Sequence, residues 1–439
     1  MNVIAKNKQV LFRMIDSLAK NKNRYLVNPT KDFIRKRKLD FKTMIRIFLS
    51  MEGDCIGNEL LKYFNYHKSI TNSAFCQQRV KIQPVFFQDL FMKYTKYVLH
   101  SVTVPHTYKG YRLLACDGTV LHTQISSDNP ELRCQGNSNS KGYLHLTAFY
   151  DLLNQIYITS DIQYGRNHNE RTAMIRMLKQ LTPNEKCIIT ADRGFEAYNT
   201  MAHLDSLNQY YLIRIKNDKA GGIMPFYDVP KKCEFDIEYE RKFTRQKRKC
   251  YLEHNEHYVS IRHDYDLDFF TPEHDMYPMK FRLVRIKLDQ TDKESSDDGY
   301  VCFVTNLPKD KFSMEELKFL YHLRWEIETS FRALKYCLKL NFFHSRKEIT
   351  TLQEIYARML VFNFSKNIIL HTKVDSNHKK YVYQINFRRA VTILRNCFRP
   401  NHPPFNDVER LLLINLSPIR PNRKYKRWKK KEKAVFIYI

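Results

Sequence analysis

Two short stretches of the chain share one form: an apolar run, an aspartate, then a glycine. They are LLACDGT, with Asp117, and CIITADRG, with Asp192. Singly, either aspartate reads equally well as a turn former, because Asp hydrogen-bonds its own backbone and Gly permits the turn. As a pair, on two strands able to lie side by side, they are what a divalent-metal site requires. Hard cations take oxygen ligands and keep several waters and substrate phosphates. The third piece is YHLRWEIETSFRALKYCL, in which Tyr321, Arg324, Glu328 and Lys335 stand at offsets 0, 3, 7 and 14. At 3.6 residues per turn these fall at about 0°, 300°, 340° and 320°, one narrow stripe. An aromatic hydroxyl, two cations and a carboxylate on a face that would otherwise be apolar are costly unless they are used or paired. Glu326, at about 140° on the same reckoning, points the other way. The plain alternative is an Arg324–Glu328 pair at i,i+4, worth roughly a few tenths of a kcal/mol.

In order and spacing (Asp in DGT, Asp in DRG, then Y-x2-R-x3-E-x6-K), the chain resembles the insertion-sequence transposases of the DDE superfamily. More narrowly, it resembles the Tyr-Arg-Glu-Lys branch typified by insertion sequence four. The resemblance covers roughly residues 110–340. It implies an α/β ribonuclease H-like catalytic core in which Asp117, Asp192 and Glu328 are the catalytic, metal-binding carboxylates and converge on one site. Asp117 lies on the first strand, Asp192 just after the fourth and Glu328 on a later helix. The resemblance further implies that Tyr321, Arg324 and Lys335 contact the phosphates of the transposon end. Trp325, beside Arg324, either stacks on a displaced base or packs beside the stripe.

The implied cofactor is Mg²⁺, two ions that Mn²⁺ can replace. Such ions, roughly 4 Å apart, lower the pKa of an attacking water and stabilise the leaving 3′ oxygen in an in-line displacement. The freed 3′-OH then attacks target DNA at the same site, which is cut-and-paste transposition with or without a hairpin at the transposon end. The implied partners are double-stranded DNA, both terminal inverted repeats and target, and a second copy of the chain on paired ends. Two other readings use the same residues. One is a DNA-binding derivative that no longer catalyses; the other is a ribonuclease H-like nuclease without strand transfer.

The elements that must position these residues are legible in the texture of the chain. Residues 1–105 read as an all-helical DNA-binding module, with apolar residues at three- and four-residue spacing in VLFRMIDSLA, DFKTMIRIFLSM, GNELLKYF and PVFFQDLFMKYTKYVL. Thr71 or Ser73 is placed to cap a short helix through Cys76–Arg79. The basic stretch KDFIRKRK, residues 31–38, suits either a DNA-docking surface or a solvated helix face. From 106 to 217 short strands (YRLLAC, LHLTAFYDL, QIYITSDI, CIITA, YYLIRI) alternate with helices near 170–181 and 196–207, the first part of the α/β core. A β-rich insertion at 218–300 accounts for the long spacing of 136 between Asp192 and Glu328. Core completion with the catalytic helix and C-terminal helices fills 301–398, and a basic tail fills 399–439. In that tail the run Arg420–Lys433, with Tyr425 and Trp428 interleaved, reads as phosphate-binding or as merely solvated.

Composition bounds the rest. The 439 residues carry 74 Lys+Arg against 46 Asp+Glu, a net charge of +28, with 43% hydrophobic and 13% aromatic residues. That excludes a wholly disordered chain and points to a polyanionic partner, since neutralising phosphates releases counterions. Ten cysteines without a CxxC pair indicate neither a disulfide framework nor a zinc ribbon. His254, His257, His263 and His274 with Cys233 and Cys250 match no zinc spacing. His168, in GRNHNER, stands either near the metals or as a polar histidine at a helix start with Glu170 and Arg171. With no leader-like apolar stretch at its start, the chain is expected in the cytoplasm, at the bacterial nucleoid when bound to DNA.

Overall fold

The first helix begins where Asn2 accepts hydrogen bonds from the amides of Ile4 and Ala5, satisfying donors that have no partner within the helix. This computed structural model describes residues 2–35, 37–67, 70–101, 106–123, 142–181, 185–217, 222–230, 233–246, 248–254, 256–261, 268–271, 275–288, 299–375 and 381–420. Helices α1 (Val3–Lys20), α2 (Phe41–Ser50), α3 (Ile56–Tyr63), α4 (Asn72–Arg79) and α5 (Val85–Ser101) make up the first hundred residues. Asp40 caps α2, and Thr71 rather than Ser73 caps α4 by accepting from Ala74 N.

The sheet follows. It consists of β1 (Arg112–His122), β2 (Tyr143–Asp151), β3 (Ile156–Tyr164), β4 (Cys187–Ala191), β5 (Tyr210–Ile215), β6 (Phe235–Thr244), β7 (Tyr258–Ser260), β8 (Met276–Lys287) and β9 (Tyr300–Thr305). Between these lie α6 (Glu170–Leu178), α7 (Tyr198–Ser206) and a short α8 (Lys249–Glu253). Among the described residues the strands form one mixed sheet in the order β3-β2-β1-β4-β5-β9-β8-β6-β7. Strands β1, β4 and β5 are parallel neighbours, while β3 runs antiparallel to β2, and β9 antiparallel to β5. This is a ribonuclease H-like α/β core with a mixed sheet. The strands of 218–300 do not make a separate body: β8 pairs antiparallel with β9 and β6 with β8, so the insertion lengthens the same sheet. Every residue of β8 from Phe281 to Ile286 is buried, as for a strand covered on both faces.

After β9 come α9 (Met314–Leu323), α10 (Trp325–Tyr336), α11 (Glu348–His371), α12 (Phe387–Arg395) and α13 (Phe405–Ile414), with a small antiparallel pair, β10 (Tyr383–Ile385) and β11 (Leu416–Pro418), that brackets α12 and α13. Ser313 and Glu316 form a reciprocal capping box that starts α9. The chain divides into two compact units that cut across the boundaries expected from sequence. One comprises 1–103, 121–143 and 331–439; the other comprises 104–120 and 144–330. In the first, α11 packs against α1, α2 and α5, so the N-terminal helices share a core with the C-terminal ones and are not a free-standing module. The reason lies in α11, which is buried on nearly every face (Ile355 to Ile368 among them) and needs partners all round. In the second unit α6 lies on β3, α7 on β5, and α9 on β4 and β8. No helix among the described residues is long and apolar enough to cross a membrane.

Candidate active site

Parallel pairing of β1 with β4 runs in register from Arg112↔Cys187 to Cys116↔Ala191. The next residue of β1 is therefore Asp117, and the first residue after β4 is Asp192, at matching positions of the two neighbouring strands. Asp117 is not at a strand end, as the sequence suggests: β1 continues through Gly118 to His122 after its pairing with β4 stops. Beyond β4 the chain turns into a 3-10 segment, and Asp192 caps it by accepting from Gly194 N at 2.8 Å. Asp117 likewise accepts from Gly118 N at 2.8 Å. The Asp192 bond, to the amide two residues on, is an Asx turn; the Asp117 bond is to its neighbour within β1.

Arg324 meets these acids from α9's end. Its guanidinium lies 3.2 Å from Glu328 Oε1 and 3.8 Å from Asp117 Oδ2. The residue is 5% exposed, and its guanidinium lies over the rings of Tyr321 and Trp325, each at 5.3 Å. Burial opposes its charge, but Tyr321, Asp117, Glu328 and Asp192 outweigh that and raise its pKa. Burial pushes the Asp117 carboxyl up to about 7; Arg324 and the Gly118 amide pull it down, while Asp192 and Glu170 add to the rise.

The helix carrying the stripe departs from the even 100° rotation assumed for it. Arg324 sits at a break between α9 and α10, where Arg324 N bonds Tyr321 O and Ile327 N bonds Arg324 O, both at 3.0 Å. Tyr321 is therefore on one helix, and Glu328 and Lys335 on the next. Tyr321 is 2% exposed, packed against Phe303 of β9 at 4.8 Å, so its ring belongs to the core and offers no surface to a phosphate. Arg324, expected to contact phosphate, is engaged by two carboxylates. Lys335 lies in the last turn of α10, Trp325 is partly buried, and Glu326 is exposed as its phase requires.

The three carboxylates do not close into one cage as expected. Among the described residues no three His, Cys, Asp or Glu side chains stand close enough to hold a metal ion together. Arg324 explains this: it stands between Asp117 and Glu328 and neutralises them. The donors are nonetheless all carboxylate oxygens, the ligand type a hard divalent cation takes.

Glu170 was not singled out for this site by sequence. Asn169 caps α6 by accepting from Arg171 N and Thr172 N, which places Glu170 in the first turn. Its Oε1 pairs with His145 Nε2 of β2 at 2.7 Å. His168, weighed between two readings above, is exposed at the helix start and stacks on His145 with ring centroids 4.3 Å apart. The signal available was a capping Asn followed by an acid at the start of a helix. Of the weighed zinc set, His254 and His257 pair with Glu256, and Cys233 and Cys250 are exposed thiols. His263, His274 and the tail beyond Arg420 lie outside the described residues. The basic stretch lines a cavity of about 440 Å³ through Lys31, Arg35 and Arg37, with Lys81 opposite.

The family model described as "Transposase DDE domain" matches residues 108–364, more than half of the chain. The chain is 20% identical over 440 residues to the transposase for insertion sequence element IS231B of Bacillus thuringiensis subsp. berliner, covering 90% of this chain and 88% of that one. It is 23% identical over 235 residues to the IS231E transposase of Bacillus thuringiensis subsp. finitimus, 48% and 47% of the two chains. A solved piggyBac transposase synaptic complex with hairpin DNA aligns at TM-score 0.49 and 10% identity, over 95% of this chain and 87% of that one. The matched region contains Asp117, Asp192 and Glu328 in that order, and the chain belongs to the DDE transposase domain family.

Proposed function

We propose that this chain is an insertion-sequence transposase of the Tyr-Arg-Glu-Lys branch, cleaving transposon ends and joining them to target DNA. The observation that carries the reading is the register of β1 and β4, which sets Asp117 beside Asp192 with Arg324 reaching from Asp117 to Glu328. In this reading Asp117, Asp192 and Glu328 hold two Mg²⁺ ions, or Mn²⁺ in their place. When bound, such ions activate an attacking water and stabilise the leaving 3′ oxygen.

The chain's own residues supply the rest. Phosphoryl transfer depends on positioning and charge neutralisation more than on covalent help. Asp117 and Asp192 are fixed by the amides of Gly118 and Gly194, so their oxygens are oriented before substrate arrives. Arg324 keeps the acids compatible with burial until a phosphate competes for its guanidinium; its fork then suits the bidentate grip that phosphate allows. Lys335 and Trp325 are the remaining candidates for contact with the end DNA. Lys31, Arg35, Arg37 and Lys38, exposed in the helical unit, are further candidates for phosphate contact, and a homodimer brings paired ends together.

The test is to incubate purified protein with end-bearing DNA, target DNA and Mg²⁺. Cleavage with joined product supports the proposal. Cleavage alone assigns a ribonuclease H-like nuclease, and binding alone assigns a DNA-binding derivative.

A further inference from the structure

The small β10–β11 sheet carries apolar side chains into water. Val382 is 63% exposed and Ile419 42%. Ile419 N donates to Val382 O at 2.8 Å, so the two residues stand opposite one another on one face. Ile414, 65% exposed, ends α13 just before β11, and Leu411 and Leu413 are exposed in the same turn. Val408 and Leu412 are the residues that α13 buries. Aliphatic exposure gathered in this way, rather than scattered singly, marks a surface that something covers. Among the described residues the sheet has two strands of three residues each. Such a pair is marginal in water until a further strand joins it.

Residues 434–439, AVFIYI, have the chemistry of the missing strand. The segment has no charge, Gly or Pro, and all but Ala434 are β-branched or aromatic, which favours strand pairing and disfavours exposure. It follows β11 by way of residues 421–433, and nine of the residues from Arg420 to Lys433 are Lys or Arg. A run so charged cannot cover an apolar segment, but at roughly 3.3–3.6 Å per extended residue it is long enough to return to the sheet it leaves. Hydrogen bonding fixes the side of return. Ile419 N to Val382 O and Asn386 N to Asn415 O turn residues 415, 417 and 419 toward β10. Alternate residues point away, so Pro418 stands on the outer edge of β11, where it has no N–H to offer a neighbour. We propose that residues 434–439 join this sheet as its third strand, on the β10 side, covering Val382 and closing the basic run into a loop held at both ends. The proposal does not depend on the role given to the carboxylates.

The test is hydrogen–deuterium exchange of the full chain, read on peptides covering 381–386 and 414–420, with sedimentation velocity at several protein concentrations. A variant stopped after Lys433 should exchange there about tenfold faster or more, because a strand that loses its neighbour opens locally. Ile437→Lys in the full chain puts a charge into the segment and should give the same local rise. It keeps the test decisive if the shortened variant melts early. In the wild type, protection of these peptides should not change with protein concentration. If both variants exchange as the wild type does, residues 434–439 do not cover the sheet and the proposal is overturned. If protection appears only at concentrations where the chain sediments as a dimer, a second copy is the occupant, and the proposal is overturned as well.

Discussion

At the residue scale Arg324 decides how the site behaves. Its neighbours are two carboxylates and two aromatic rings in a nearly water-free setting, so it is not the exposed i,i+4 cation that its sequence spacing allows. Arg324→Ala leaves Asp117 without its counter-charge; cleavage should fall at least tenfold, with a loss of about 1–3 kcal/mol in stability from unmade charged contacts. Arg324→Lys should keep much of the stability and lose most of the rate, because a point charge cannot span both acids as a planar fork does. Melting temperature and end cleavage measured on both variants check this. Activity that simply tracks melting temperature would reduce Arg324 to packing. Glu326→Ala, by contrast, should be nearly silent in both. The placement of Asp117 and Asp192 at matching positions of neighbouring strands was legible, because an apolar run leading into an aspartate is a local pattern. What Arg324 and Tyr321 touch was not, because Asp117 of β1 and Phe303 of β9 meet them through packing between distant segments, which helix spacing does not record.

At the element scale the helical unit is clasped by a buried charge cluster between α4 and α11. Arg79 pairs with Glu354 at 2.7 Å, and Glu354 also meets Arg358 and His344 Nδ1, each at 3.0 Å. Glu59 of α3 stands 3.9 Å from His344 Nε2. Burial opposes the Glu354 charge, but His344, Arg79 and Arg358 hold its carboxyl well below the usual range. Burial opposes the His344 charge too, and Glu354 and Glu59 raise its pKa above the usual histidine value. A depressed carboxyl contributes stability above its unfolded pKa, about 4.3, and loses it as pH falls toward the folded value. A raised histidine contributes fully below about 6.5 and loses that as pH rises through its folded pKa. The cluster is therefore strongest near pH 5–6, flanked by losses on both sides. Denaturant melts across pH should show that Glu354→Gln costs about 3–5 kcal/mol, as for a broken buried ion pair, and flattens the acid limb. His344→Gln should flatten the alkaline limb. Sequence reading found these helices but not their partnership. The apolar periodicity of each is local, whereas the pairing of Arg79 with Glu354 spans 275 positions.

At the scale of the whole molecule, charge and architecture make different demands. A net charge of +28 predicts DNA affinity that falls steeply with salt, because each neutralised phosphate releases counterions. Removing Lys31, Arg35 and Arg37 together should lower the slope of log affinity against log salt by roughly one for each phosphate that is no longer neutralised. Titrations with fluorescent end DNA at several salt concentrations measure it; an unchanged slope would remove 31–38 from the interface. Deleting the first hundred residues is not a clean test of recognition, since α1, α2 and α5 share a core with α11. The same reasoning limits what domain boundaries the sequence could show: composition shifts at about residue 106 are real, but the helices on either side of the sheet region rejoin in space.

The central claim is that Asp117, Asp192 and Glu328 act together on DNA phosphates. Its most direct measurement is end cleavage in Mg²⁺ by Asp117→Asn, Asp192→Asn and Glu328→Gln, each scored beside binding of the same end DNA. The account predicts that each variant binds within a few-fold of wild type and cleaves at least 100-fold more slowly, since phosphoryl transfer here relies on electrostatic positioning. Wild-type cleavage by any one of the three would contradict it.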